Sequence, residues 1–388
     1  MTMSLEIEET SRLWRARLAV AILFFVLGAG FGSWAVRIPD VQHRLHLTSG
    51  QLGTCLLALA IGTMVGMPAA DVIGARVESA RATPLAAAGF AIAIGFAAAA
   101  TGTATLFAAL LVLGFGNGVL SVLINGQGVR VERLWRKPIM ASSCAACSIG
   151  GLIGSMTASL AAEAGIAPGV HLAVVAAVLT VLALCTDPFL IEGPMARSFT
   201  AFPLPTAGTL PLGLLAFCDQ FCEGTTSDWS AVYLRNSVHV RAGLAGIGYA
   251  IFAIAMALGR LTGDALSARF GPRRLVCGAG VLAFTGAAVV LAFRSLLPVV
   301  SGFVLLGLGL SVVYPNAVSA AGRQEGEQAD AAVAAVSAIG YSGFLVGPPL
   351  VGFAAQATTL SIGMISTLQC SIGIVLLSRA LPVADKRL

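Results

Sequence analysis

The sequence predicts an all-α membrane protein whose twelve transmembrane helices form two pseudo-symmetric six-helix bundles. Three observations predict it. Of 388 residues, 57% are hydrophobic and only 11% charged, under half the roughly 25% charge of a soluble domain. The apolar stretches are long and unbroken, whereas an outer-membrane barrel alternates polarity over segments of about ten residues. Short motifs also recur between the two halves at a nearly constant spacing. A soluble enzyme, a nucleic-acid binder and a disordered chain are excluded at this point. The 45 glycines suit close helix contacts in a bilayer.

One span needs about 20 apolar residues, which with short loops places helices at 16–38, 49–70, 82–101, 104–128, 139–162 and 168–191. A second set follows at 209–235, 241–261, 274–293, 295–318, 329–354 and 358–380. Ahead of the first lie Glu6, Glu8 and Glu9 and no small-residue cleavage site, so that helix is expected to be retained. Residues 192–208, with three prolines, form the expected cytoplasmic linker between an N-terminal bundle (1–191) and a C-terminal one (209–388). Eighteen of the 23 Lys and Arg fall on the side of the termini and five opposite, which predicts cytoplasmic termini. The net charge of +5 then reflects orientation and calls for no nucleic-acid partner. All eight cysteines lie in the expected helices. Cys144-x-x-Cys147 has no second pair and no nearby His, so the cysteines read as small apolar contact residues, with no metal or disulfide.

The repeat is specific. Gly66-Met-Pro-Ala-Ala-Asp71-Val-Ile-Gly74-Ala-Arg76 follows the second helix. Gly259-Arg-Leu-Thr-Gly-Asp264, with Arg269, Gly271, Arg273 and Arg274 beyond it, follows the eighth. Asp71 and Asp264 are 193 residues apart, as are Leu113-Gly-Phe-Gly116 and Leu306-Gly-Leu-Gly309. Ser33-Trp34-Ala35 parallels Asp228-Trp229-Ser230 at 195. Duplicated six-helix halves read as a secondary transporter with its site near the midplane.

Ionisable groups within a span are costly and usually functional. Of 18 acids, only Asp219, Glu223 and Asp228 lie inside one, all on helix seven. Asp219 and Glu223 share a helix face. Repulsion and desolvation disfavour two ionised carboxylates there, so at least one is expected to carry a proton and release it to water, as a coupling group must. Gly224-Thr225-Thr226-Ser227 is expected to break the helix and bare backbone groups to a substrate. The structural alternative ties Asp219 or Glu223 to an Asn, Gln or Arg of a neighbouring helix. Asp228 lies nearer the outer end, where solvation of the helix end competes with function. Trp34 and Arg37 read either as a stacking face and a cation for the cavity, or as an interfacial tryptophan with a snorkelling arginine; Trp229 reads the same way. Helix four offers Asn117, Asn125 and Gln127 as uncharged hydrogen-bonding groups, with helix-end bonding as the alternative for Asn125. Tyr314-Pro315-Asn316 sets a kink-forming proline between two polar side chains, as a gate or binding element. His43, His46, His171 and His239 receive no role. Neither His-Glu-x-x-His nor Gly-x-Ser-x-Gly occurs, and neither an enzyme nor a cofactor is expected.

These features resemble the major facilitator superfamily over essentially the whole chain. Its diagnostic loop, Gly-x-x-x-Asp-(Arg/Lys)-x-Gly-x-(Arg/Lys)-(Arg/Lys), is matched by Asp71, Gly74 and Arg76, with Gly66 one residue early and Val72 in place of the first basic residue. Asp264, Gly271, Arg273 and Arg274 match it again at stretched spacing. The resemblance implies transport by rocking of the halves. It implies that helix one lines the cavity, where Arg37 meets an acid of helix seven. It also implies a cytoplasmic latch from Asp71, Gly74, Arg76, Arg130, Arg133, Asp264, Arg273 and Arg274. Asp228-Trp-Ser-Ala-Val-Tyr233 and Asn125-Gly-Gln-Gly-Val-Arg-Val-Glu132 look like small bacterial inner-membrane members with sugar-permease-like relatives. Drug/proton antiporters of the family carry an Arg in helix four, yet residues 104–129 hold no Arg or Lys. Their Gly-Pro signature in helix five is replaced by Gly150, Gly151 and Gly154, while Gly347-Pro348-Pro349 lies in helix eleven. The expected function is proton-coupled transport of a small polar solute by a monomer in the lipid bilayer. Proton-antiport efflux of drugs or metabolites is the second reading.

Overall fold

The structure is a computed structural model and describes residues 2–135, 139–192, 206, 208–323 and 327–382. Among them it has α-helices, short 3-10 turns and no strand. The first six helices are α1 (Thr2–Arg44), α2 (Ser49–Arg76), α3 (Ser79–Ala99), α4 (Thr103–Trp135), α5 (Met140–Glu163) and α6 (Pro168–Leu184). Then come α7 (Leu210–Asn236), α8 (Ile247–Phe270) and α9 (Pro272–Ala292). The tenth span is divided into α10 (Leu296–Leu310) and α11 (Val313–Ala321), and α12 (Glu327–Ala357) is the eleventh. The twelfth is α13 (Leu360–Gly363) with α14 (Ile365–Leu377). Eleven of these spans are long and apolar enough to cross a membrane. The twelfth crossing is α7, whose 27 residues reach about 40 Å but which is too polar to be counted with the others. The linker expected over 192–208 lies almost wholly outside the described residues.

The duplication is visible in the backbone. Helices α3 and α9 each have 21 residues, and their first and last residues are both displaced by 193. The starts of α4 and α10 keep the same offset. His46 and His239, also 193 apart, follow the first helix of each half and adopt left-handed φ of 51° and 60°. Such angles are uncommon outside glycine.

The chain forms two compact units, Met1–Val41 with Ala58–Thr200, and Gln42–Leu57 with Ala201–Leu388. The first is held by paired glycine seams. Gly28 and Gly32 of α1 lie against the backbone of Cys147 and Gly151 in α5, while Gly150 and Gly154 of α5 face Phe25 and Ala29 of α1. Gly62 and Gly66 of α2 and Gly114 and Gly118 of α4 interlock in the same way. Each is a Gly-x-x-x-Gly pair, which lets helix backbones approach closely where no hydrophobic force acts between helices. In the second unit α7 packs chiefly on α12, α14 and α11, with Gly343 of α12 against the backbone of Phe217 and Phe221.

Two local expectations are corrected. Helix α7 runs unbroken through Gly224–Ser227, with the Thr226 and Ser227 hydroxyls donating to the carbonyls of Cys222 and Glu223 at 2.8 and 2.9 Å. Hydroxyls bonded four residues back are accommodated inside a helix. The break falls in the tenth span at Ser311–Val312 instead. Ser311 stands four residues before Pro315, which cannot donate to it and whose ring crowds its carbonyl. The diagnostic motifs also lie on helical turns rather than loops: α2 continues through Arg76 and α8 through Phe270.

Candidate functional site

In the second unit, α7 carries three acids into three different surroundings. Asp219 is 1% exposed, and neither of its carboxyl oxygens has a hydrogen-bond partner. One turn on, Glu223 Oε2 accepts from the Arg260 guanidinium of α8 at 3.3 Å, with side-chain exposures of 20% and 49%. The structural tie considered for the Asp219–Glu223 pair therefore exists for Glu223 and not for Asp219. Asp228 is half-buried further along the same helix.

The α10–α11 break faces this group. Tyr314 lies in the first turn of α11, which packs against α7. The Tyr314 hydroxyl donates to Ser337 Oγ of α12 at 3.3 Å, and its ring packs on Tyr341 at 6.4 Å. Gly340 leaves the space: a Cβ there would stand 3.2 Å from the Tyr314 ring. Tyr341 is 40% exposed. Together α7, α8, α11 and α12 thus present a carboxyl, an ion pair and two phenols within one bundle. Such a set can hold a proton, accept hydroxyls and exchange hydrogen bonds with a polar solute.

The remaining residues singled out in the sequence separate by environment. Asn316 is braced, accepting from Ser267 of α8 at 3.0 Å and donating to the Val312 carbonyl at 2.7 Å. Trp229 is fully buried and its Nε1 has no partner. In the first unit Trp34 and Arg37 are each 1% exposed. Arg37 donates to Asp40 at 2.7 Å and to the Ile166 carbonyl at 3.1 Å. Within its unit Arg37 is thus held in an ion pair with Asp40 of its own helix rather than left as a free cation. Asn117 donates to Thr63 of α2 at 3.2 Å, and Asn125 to the Ser121 carbonyl of its own helix at 2.7 Å. Gln127 is fully buried and exchanges bonds with Ser79 and with both backbone groups of Ile191 at 3.0–3.3 Å.

Among the latch candidates, Arg130 donates to the same Ile191 carbonyl at 2.8 Å. Asp71, Gly74 and Arg76 occupy the end of α2, where Ala70 packs with Ala82, Val119 and Leu123. Arg133 is exposed near the end of α4, and Arg273 and Arg274 lie in the first turn of α9. The side chain of Asp264 lies outside the described residues.

Sequence reasoning missed Arg260, Ser337 and Tyr341. In the helix expected over 241–261, Arg260 stands one residue from the cytoplasmic end, where a basic residue reads as an orientation signal. The available signal was Gly271-Pro272, the first true breaker, which moves the end of α8 outward and Arg260 to its middle.

Comparisons with known proteins agree with this architecture. A sequence profile described as Major Facilitator Superfamily matches residues 212–387. An uncharacterized MFS-type transporter of Yersinia pestis is 32% identical over 89% of this chain and 90% of its own length. Membrane protein MosC of Rhizobium meliloti is 30% identical over 88% and 84%. Among solved structures, the nucleoside transporter NupG superposes with a TM-score of 0.72 at 16% identity, covering 94% of this chain and 98% of that one. A bacterial homolog of the human lysosomal transporter Spinster, inward-facing and unoccupied, gives 0.77 at 15%, covering 95% and 98%. With twelve spans, a 193-residue duplication carried into the backbone, and relatives matched along nearly their whole length, the chain belongs to the Major Facilitator Superfamily of membrane transporters.

Proposed function

We propose that this transporter moves a small polar solute by proton-coupled alternating access, with Asp219 and Glu223 as the coupling acids and Arg260, Tyr314, Ser337 and Tyr341 meeting the solute. One observation carries the reading: a buried carboxyl without a partner sits one turn from a carboxylate held by an arginine. An unpartnered buried carboxyl is expensive and persists where it has work to do. Protonation of Glu223 removes the charge that holds Arg260, so a proton taken up by the carboxylate frees the guanidinium to meet the solute. Asp71, Arg76, Arg130, Arg133, Asp264, Arg273 and Arg274 form the cytoplasmic latch in this reading. The protein acts as a monomer in a bacterial inner membrane with both termini cytoplasmic.

The test uses protein reconstituted in liposomes under an imposed pH gradient, with sugars, sugar acids and amino-acid-like solutes outside. Proton-driven accumulation of one solute class is expected. It should be lost in Asp219→Asn and Glu223→Gln while downhill exchange remains. Unchanged gradient-driven uptake in both variants overturns the coupling assignment.

A further inference from the structure

A second feature of the C-terminal unit lies along α8, α9 and α10. Helices α8 and α9 both pack on α10, leaving an open groove of about 420 Å³ over it. Its walls are apolar along most of their length, with Leu266, Leu282 and Leu308 among them. Gly278 forms part of the floor and has nothing within 4 Å of the position a Cβ would take. Flanking it, Leu258, Leu261 and Val281 are 57%, 75% and 52% exposed, the pattern of a surface turned to lipid.

One end of the groove is different. Arg274 and Phe270 close it, and the Arg269 guanidinium stacks on the Phe270 ring at 5.3 Å. Arg273 is adjacent, and the turn between α8 and α9 therefore concentrates three arginines where the apolar channel ends. From Gly259 to Phe270 the groove follows α8 for about 16 Å. An apolar slot of this length, open on its lipid side and capped by cations, matches an acyl chain joined to an anionic headgroup.

We propose that this groove binds one anionic phospholipid of the surrounding bilayer, its acyl chain along Gly278 and its phosphate at Arg274 and Arg269. Juxtamembrane cations each favour anionic lipid by a modest electrostatic increment, and the slot adds shape selection. The occupant is the lipid and not a free phosphate, because the apolar length would then lie empty.

The experiment uses the purified full-length chain in neutral detergent. Phosphatidylglycerol, phosphatidylcholine of the same acyl composition, and inorganic phosphate are each titrated. Thermal unfolding and native mass spectrometry read the result. Phosphatidylglycerol should raise the melting temperature saturably with one lipid retained, and the other two should not. Arg274→Gln should weaken that response about fivefold. Gly278→Leu, which fills open space, should remove it without lowering the lipid-free melting temperature. If Gly278→Leu does destabilise, Arg274→Gln at an exposed position carries the test alone. Equal responses to the two lipids, a matching shift with inorganic phosphate, or full phosphatidylglycerol binding by Arg274→Gln would each overturn the proposal.

Discussion

The Arg260 guanidinium reaches Glu223 through a single nitrogen at 3.3 Å, joining α8 to α7 between a side chain that is half exposed and one that is mostly buried. Removing the cation strands the carboxylate in a low dielectric, whereas removing both charges strands nothing.

Arg260→Gln should therefore lower stability by about 1 kcal/mol, a small figure because the arginine is half exposed. The double variant Glu223→Gln/Arg260→Gln should recover most of that loss. Melting temperatures of the three proteins in one detergent decide it. Additive losses would show that the two groups do not stabilise one another.

Asp219 should behave in the opposite sense. Both of its oxygens are buried and unpartnered, so Asp219→Leu is expected to leave stability unchanged or raise it by about 1–3 kcal/mol. The same variant should abolish proton-driven accumulation. A large fall in melting temperature would assign Asp219 a structural part instead.

Gln127 and Asn125 provide a matched contrast two residues apart. Gln127→Leu takes the partner from the Ser79 hydroxyl and from the Ile191 N–H, while Arg130 still serves the Ile191 carbonyl, at a cost of about 1–3 kcal/mol. Asn125→Ala gives up only a bond to its own helix and should stay within about 0.5 kcal/mol. Thermal unfolding of the two variants is the comparison, and equal shifts would contradict the bracing role of Gln127.

The glycine seam between α1 and α5 predicts position-specific intolerance. Gly28→Ala drives a methyl into the Cys147 carbonyl and should cost about 1–3 kcal/mol by overpacking. Gly89→Ala meets nothing within 4 Å and should gain roughly 0.5–1 kcal/mol from helix propensity. Expression level and melting temperature distinguish them.

How much of this was legible in the sequence depends on the range of the interaction involved. The spans, the duplication and the concentration of acids on α7 follow from composition and spacing, which are properties of single segments. Kinking at Pro315 was also local, because proline acts on the residue four positions earlier. The expected break at Gly224–Ser227 was local too, but propensity could not show that Thr226 and Ser227 would satisfy their hydroxyls within the helix. Pairing of Arg260 with Glu223, the bond from Arg37 to Ile166, and the bracing of Gln127 depend on which helix faces which, whereas the Arg37–Asp40 pair is a spacing of three on one helix. Charge counting placed Arg260 at a helix end because the motif around it resembles a loop.

The polarity of α7 bears on how the protein is made. A translocon passes segments into lipid according to their own apolarity, and a central aspartate costs about 2.5–3.5 kcal/mol on that scale. Helix α7, with three acids, falls below the level that the other eleven spans meet. Its place in the membrane is therefore favoured by partners that are synthesised after it: α8, which supplies Arg260, and α12, which supplies the glycine-lined surface. The ribosome must deliver more than a hundred further residues before α12 is complete.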